Sequence, residues 1–296
     1  MKLPIKSLKK QKTDLDLIKN LCSLDEFDLL VCLKKVLNAY GYRQESISLT
    51  ADYLIAEGDL PIVLVAHCDT VFNFLPQEWI YDNKRKVLWS PTGAGFDDRA
   101  GIFIILKIIE AGYRPCLVFT TGEEVGGIGA MKLAQRFPQT PFSIPIKGLI
   151  ELDRMGSNDC VFYDCVNKDF QKKIESYGFI TQIGTFTDIS ILAPSWGVCA
   201  VNLSVGYYDE HTPCERLYLP ETYLTLDKVK KMLDDCADWP KYQWIEKIDK
   251  TGIFRHGFSK DSCFWCGRKN NLRVINMPEY GLNNVFLCDI CSSFLT

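Results

Sequence analysis

PIVLVAHCDT (residues 61–70), RPCLVFTTGEE (114–124) and IKGLIELDR (146–154) decide the fold. Each is a strand-length run of apolar, largely β-branched residues without the in–out alternation of a half-exposed sheet, the pattern of strands buried on both faces. DDRAGIFIILKIIEAG (97–112) and GGIGAMKLAQRF (126–137) lie between them. Both read as helices entered through aspartate or glycine, the first closed by Gly112. The alternation predicts an α/β fold with a mainly parallel central sheet flanked by helices. Ligands of such sheets collect at the carboxyl ends of the strands. His67, Glu123, Glu124 and Asp153 all stand at such an end.

Outward from this centre, Ser23 is expected to cap an amphipathic helix, SLDEFDLLVCLKKVLNAYG, that stops at Gly41, and DYLIAEG is a short strand. Later, VFYDCVN and WGVCAVNLSVG read as strands, NKDFQKKIESYG as a helix and LPETYLTLDKVKKMLDDCADW as a closing helix. The 296 residues, 47% hydrophobic and 24% charged, suffice for one sizeable core and a small appendage. The expected division is a catalytic α/β domain over 1–236, a linker over 237–260 and a module over 261–296. A formal net charge of −3 gives no electrostatic reason to expect nucleic acid, and leaves room for a local basic patch. No stretch approaches the roughly 18 apolar residues of a membrane span, and the start of the chain has no apolar leader core. Thirteen cysteines, mostly single and in apolar contexts, suit a reducing compartment better than a disulfide framework. A cytoplasmic location is the expectation.

The motifs supply the chemistry. In AHCDT, His67 has a metal-binding nitrogen, and Asp69, two residues on and on the same strand face, can accept the other ring N–H. In TGAGFDDRAG, Asp97 and Asp98 open a helix where carboxylates also cap, and the glycines before them allow close approach of an ion. Glu123 and Glu124 in TGEEVGG are adjacent like charges that call for a compensating cation. Pointing to different sides, one can hold a metal while the other takes a proton from water. Asp97, Glu123, Glu124 and Asp153 together balance two divalent ions. Such ions would lower the pKa of water from about 16 towards 7 and polarise a carbonyl. His211 in DEHTPCE is one of only three histidines.

The order HxD, DD, EE, D, H over residues 60–235 resembles the co-catalytic metallopeptidase clan that contains families M20, M28 and M42. The resemblance implies that His67, Glu124 and Asp97 bind one ion and that Asp153, His211 and a bridging Asp97 bind the other. Zinc is the first choice of metal, with cobalt or manganese as alternatives. It further implies Glu123 as general base, Asp69 as the histidine clamp and a cis peptide between Asp97 and Asp98. Family M20 enzymes usually insert a lid between the last two ligands. The 58 positions from Asp153 to His211 are too few for that lid, so a lidless, M28-like arrangement is expected.

The implied function is hydrolysis of a peptide or amide bond, aminopeptidase- or carboxypeptidase-like, with Glu123 activating a water shared by the two metals. The alternatives are a deacylase or deconjugating amidohydrolase, or a silent adaptor. Around the centre, Arg154 is read either as a carboxylate receptor or as a structural partner of Glu151 or Asp159. Asp188 is either a helix N-cap or a contact for a substrate amine. Tyr207 and Tyr208 either line the site or pack. The C-terminus carries two CxxC pairs, Cys263/Cys266 and Cys288/Cys291, the pattern of a four-thiolate structural zinc. That segment resembles the zinc module of bacterial unfoldase ATPases, which implies docking or self-association rather than chemistry.

Overall fold

The computed structural model describes residues 13–245, 271–277, 282–288 and 292. The chain divides into two compact units, residues 1–245 and 246–296. In the first, an eight-stranded sheet has four parallel strands at its centre: β6 (Pro115–Thr120), β3 (Leu60–His67), β7 (Gly148–Arg154) and β10 (Ala200–Ser204). β2 (Tyr53–Ala56) and β1 (Ile47–Leu49) extend one side, both antiparallel. β8 (Asp159–Val161), antiparallel to β10, and β9 (Ile180–Thr181) extend the other. The expected mainly parallel core is present.

Alternation along the strands sends side chains into two cores, which is why the sequence runs are apolar throughout. Leu64, Ala66, Leu117, Phe119, Ile150 and Leu152 join one core, with α1 (Asp14–Cys22), α2 (Glu26–Ala39), α3 (Phe96–Glu110) and α7 (Leu219–Asp235). Val63, Val65, Cys116, Val118 and Leu149 join the other, against α4 (Ile128–Arg136) and α6 (Ile189–Trp196). α3 lies so close to β7 that a Cβ at Gly101 would run into the Leu152 carbonyl and the Asp98 carboxylate.

Three sequence expectations change. Ser23 does not cap α2: the Asp25 side chain accepts the Asp28 N–H at 2.7 Å, and Ser23 closes α1, donating to the Lys19 carbonyl. Two polar residues competed for one cap, and the one nearer the first helical turn holds it. WGVCAVNLSVG is not all strand, since Trp196 ends α6 and a left-handed Gly197 turns the chain into β10. VFYDCVN is strand only to Val161, with α5 (Lys168–Glu175) following.

A second sheet escaped the sequence reading. It is four-stranded, ordered β11 (Tyr207–Tyr208), β12 (Arg216–Tyr218), β5 (Val87–Trp89) and β4 (Ile80–Asp82). Its two- and three-residue strands are too short to show a period. Residues 239–245, within the expected linker, pack onto the first unit. Trp239 and Tyr242 are buried, and the backbone bonds from Cys199 to Tyr242 and from Trp244 to Gly197.

In the second unit, β13 (Leu272–Met277) and β14 (Leu282–Cys288) form an antiparallel hairpin, and Cys288 is buried. Cys263, Cys266 and Cys291 lie outside the described residues. Among the described residues, no helix is long and apolar enough to cross a membrane.

Candidate metal centre

His67 ends β3 almost wholly buried, at 1% exposure. Its Nε2 faces Asp97 Oδ1 at 3.0 Å and Asp153 Oδ1 at 3.4 Å. Its Nδ1 lies 3.3 Å from Asp69 Oδ1, within ion-pair reach but off the line of a hydrogen bond. Asp69 in turn accepts the backbone N–H groups of Glu123 and Glu124, at 3.2 and 3.1 Å. One carboxylate thus ties the histidine motif to the paired glutamates. Asp153, one residue before the end of β7, is held by Asn202, which accepts its N–H at 3.0 Å and donates to its carbonyl at 2.9 Å. Thr187 and Tyr207 hydroxyls donate to its carboxylate, at 3.0 and 3.2 Å.

The two aspartates that open α3 divide their work. The Asp97–Asp98 peptide is cis, and both residues have non-helical backbones. Asp98 does the structural job, accepting the Gly101 N–H at 2.9 Å and the His67 N–H at 3.3 Å. Asp97 faces the rim, where Oδ1 meets His67 and Oδ2 meets His211 Nε2 at 3.1 Å. His211 also lies 2.9 Å from Glu124 Oε2. Its backbone is left-handed and its side chain half exposed, in the turn between β11 and β12.

All five ligands implied by the resemblance meet at one rim, and atoms of His67, Asp97 and Glu124 lie within 4.8 Å of one another. That trio is the set the resemblance implies for one ion, while the shortest contacts pair the ligands another way. Asp153 stands with His67, and Glu124 stands with His211. Asp97 alone reaches both histidines, as a bridging ligand must.

Electrostatics shows what the cluster lacks. Burial opposes a charge on His67, yet Asp153, Asp69 and Asp97 hold its pKa well above the usual imidazole range. Hydrogen bonds to Asp97 and Glu124 raise that of His211 to about 10. Burial, then the Asp97 charge, pushes Asp153 up to about 7. Burial raises Glu123 well above an ordinary carboxyl, with Asp153, Asp188 and Glu124 adding to it. Carboxylates so placed repel until something cationic compensates. The donor set of imidazole and carboxylate suits zinc, manganese or cobalt, and its charge suits two divalent ions.

The remaining candidates are placed as follows. Arg154 forms an ion pair with Asp159 at 3.7 Å, one of its two structural readings. Asp188 occupies the cap position of α6 without capping it. Its carboxylate instead accepts the Thr120 hydroxyl, in full burial. Tyr208 donates to Glu221 Oε2 at 2.6 Å, whereas its neighbour Tyr207 reaches Asp153.

Sequence reasoning passed over Glu215 and Thr187. Glu215 is fully buried and accepts the N–H groups of Ala94, Gly95 and Asp97 at 3.2, 2.7 and 3.0 Å. Its place four residues after His211 was the one available signal.

No family model and no curated relative matches the chain. Solved structures do. It resembles a tripeptidase from Staphylococcus aureus (15% identity, TM-score 0.61, covering 76% of this chain and 98% of that one). It also resembles the aminopeptidase PepT of Bacillus cereus (16%, 0.60, 77% and 99%). An aminopeptidase from the archaeon Desulfurococcus kamchatkensis is similar as well (15%, 0.58, 76% and 96%). At this identity the likeness establishes a shared architecture: the chain has the α/β fold of these solved peptidases.

Proposed function

We propose that the chain is a two-metal hydrolase of peptide or amide bonds, aminopeptidase-like in substrate. The observation that carries this reading is Asp97, whose two carboxylate oxygens are shared between His67 and His211 while Glu123 stands alongside. His67, Asp97 and Asp153 would hold one ion, and His211, Asp97 and Glu124 the other. The His67–Asp153 and His211–Glu124 contacts, at 3.4 and 2.9 Å, support this grouping; His67, Asp97 and Glu124 also lie close enough to share an ion, as the resemblance implies. Bound divalent ions would polarise a scissile carbonyl and acidify water.

The chain's own residues do the rest. Asp69 orients the His67 ring, and its grip on the Glu123 backbone aims the base. Glu123 would take a proton from the attacking water and deliver it to the leaving amine as the C–N bond breaks. The names of the neighbours, a tripeptidase and aminopeptidases, favour peptides with a free amino end. The cysteines of the first unit are all thiols, which agrees with a cytoplasmic setting. Four cysteines, Cys288 among them, would bind one structural zinc and serve partner binding or self-association.

The test is a screen of tripeptides, aminoacyl amides and acyl-amino acids with metal-replete protein, alongside a metal count. Release of amino-terminal residues with two ions beyond the ribbon zinc is the expected result. Cleavage of acyl-amino acids alone would select the deacylase. A protein that holds the ribbon zinc alone and cleaves nothing would be the adaptor.

A further inference from the structure

Glu215 bears a buried carboxylate with no lysine, arginine or histidine in ion-pair reach among the described residues. Its charge is met instead by three converging backbone N–H groups. Ala94 and Gly95 donate to Oε2 and Asp97 donates to Oε1. Two of these donors flank or form the turn into α3, where Gly95 is left-handed at φ 69°. The third is the N–H of Asp97 itself.

The other end of this grip is the His211 turn. Thr212 closes that turn by donating to the Asp209 carbonyl at 2.6 Å and accepting the Cys214 N–H at 3.2 Å, and the Glu215 N–H reaches the Thr212 carbonyl at 3.1 Å. After Glu215 the chain enters β12 and pairs with β5. One side chain therefore clamps the segment bearing the shared carboxylate to the segment bearing the exposed histidine. His211 has no comparable support of its own.

We propose that Glu215 is the positioning residue that sets the Asp97–His211 span, and with it the occupancy of the His211-side ion. It touches neither ion nor substrate, and acts through the backbone of Asp97. The inference rests on the two-ion reading above. Glutamine has one acceptor oxygen and a donor NH₂, so Glu215→Gln loses at least one of the three bonds and sets a donor against a donor. Partners that orient ligands in this way typically contribute about 10–100-fold in metal affinity.

The experiment titrates metal-free, full-length protein with Co2+ alone and follows visible absorption against a competing chelator. Thiolate charge-transfer bands mark any Co2+ held by cysteines. Wild type is expected to take up two further ions, one tight and one weaker. In Glu215→Gln the tight ion should bind as in wild type and the weaker one about 10–100-fold less well. Saturating Co2+ should then restore kcat on the best peptide of the screen, with KM unchanged.

Equal affinities for both ions in wild type and variant would overturn the proposal, as would equal weakening of both ions, the mark of a merely structural role. Should Glu215→Gln not fold, Gly95→Ala strains one donor from the opposite side of the clamp. It should show the same selective loss, and wild-type affinities there would refute the proposal. Wild type that binds two ions but cleaves no amide would refute the hydrolase reading and leave Glu215 testable by metal alone. Wild type with fewer than two sites would sink both.

Discussion

The two histidines of the centre are held in opposite ways. His67 ends a central strand, is 1% exposed, and is surrounded by Asp69, Asp97 and Asp153. Behind it, Asp69 is pinned by two backbone amides and Asp153 by Asn202. His211 sits in a turn of the small sheet, half exposed and left-handed, and meets only Asp97 and Glu124. One half of the centre is built into the sheet that folds the domain. The other is delivered by a loop to a place the sheet has prepared. A rigid, desolvated half should bind its ion tightly and early, and the loop-borne half should bind weakly and exchange.

On the proposed reading Glu123 is the base, so its loss should have the largest effect. Glu123→Gln keeps its metals and loses about 10²–10⁴-fold in turnover. Near-normal kcat in a variant shown to be metal-replete would remove Glu123 from the chemistry.

The comparison itself breaks or holds on the two histidines. In metal-free protein, His67→Ala leaves buried Asp69 and Asp153 without their cationic partner, a loss of about 3–5 kcal/mol in stability. His211→Ala should cost less than His67→Ala, because the His211 side chain is half exposed and solvent screens its contacts with Asp97 and Glu124, and should forfeit one ion only. Denaturant titration and metal analysis of both variants check this, and equal losses of stability would erase the asymmetry.

Proton competition sharpens the picture. Hydrogen bonds to Asp97 and Glu124 raise the His211 pKa to about 10, with burial opposing. At neutral pH its ring therefore carries a proton that an incoming cation must displace. Affinity of the weaker ion should rise with pH towards about 10 and level off above it. Isothermal titration in buffers of different ionisation enthalpy should show a proton released on loading. Absence of that release in wild type would mean that His211 is not a ligand.

The smallest effect is expected in the second unit. Cys288→Ser should release one zinc per chain and leave turnover of a small peptide unchanged, while any self-association through that segment fails. A collapse of turnover with both active-site ions still bound would show that the second unit helps build the site.

The legible and illegible parts of the molecule divide along a similar line. The parallel core could be read because strands buried on both faces leave continuous apolar runs, as in PIVLVA and CLVF. All five ligands sat where such runs end or in a motif of unusual composition. What could not be read was whatever depended on contact across the fold. The contact of Glu124 with His211 is set by how a loop returns to the rim. Tyr207 rather than Tyr208 faces Asp153 because a two-residue strand fixes which of two adjacent tyrosines points inward. Asp188 looked like a cap because it precedes a helix, but the Thr120 hydroxyl of the neighbouring strand end claimed its carboxylate. Glu215 gave no signal beyond its place four residues after His211, since its partners are main-chain amides about 120 positions away.

Gly101 carries a consequence for anyone who redesigns this centre. It is neither a ligand nor near the solvent, and its exchange for alanine would pass as conservative. Yet the missing side chain is a tolerance gap between α3 and the strand that carries Asp153. A single methyl there would act as a wedge, lifting the Asp97 end of the helix away from Asp153. The bond lengths of a shared cation leave only a few tenths of an ångström for such play. The calibration of the centre thus resides partly in an atom that is absent, and a library restricted to the ligand shell would never sample it.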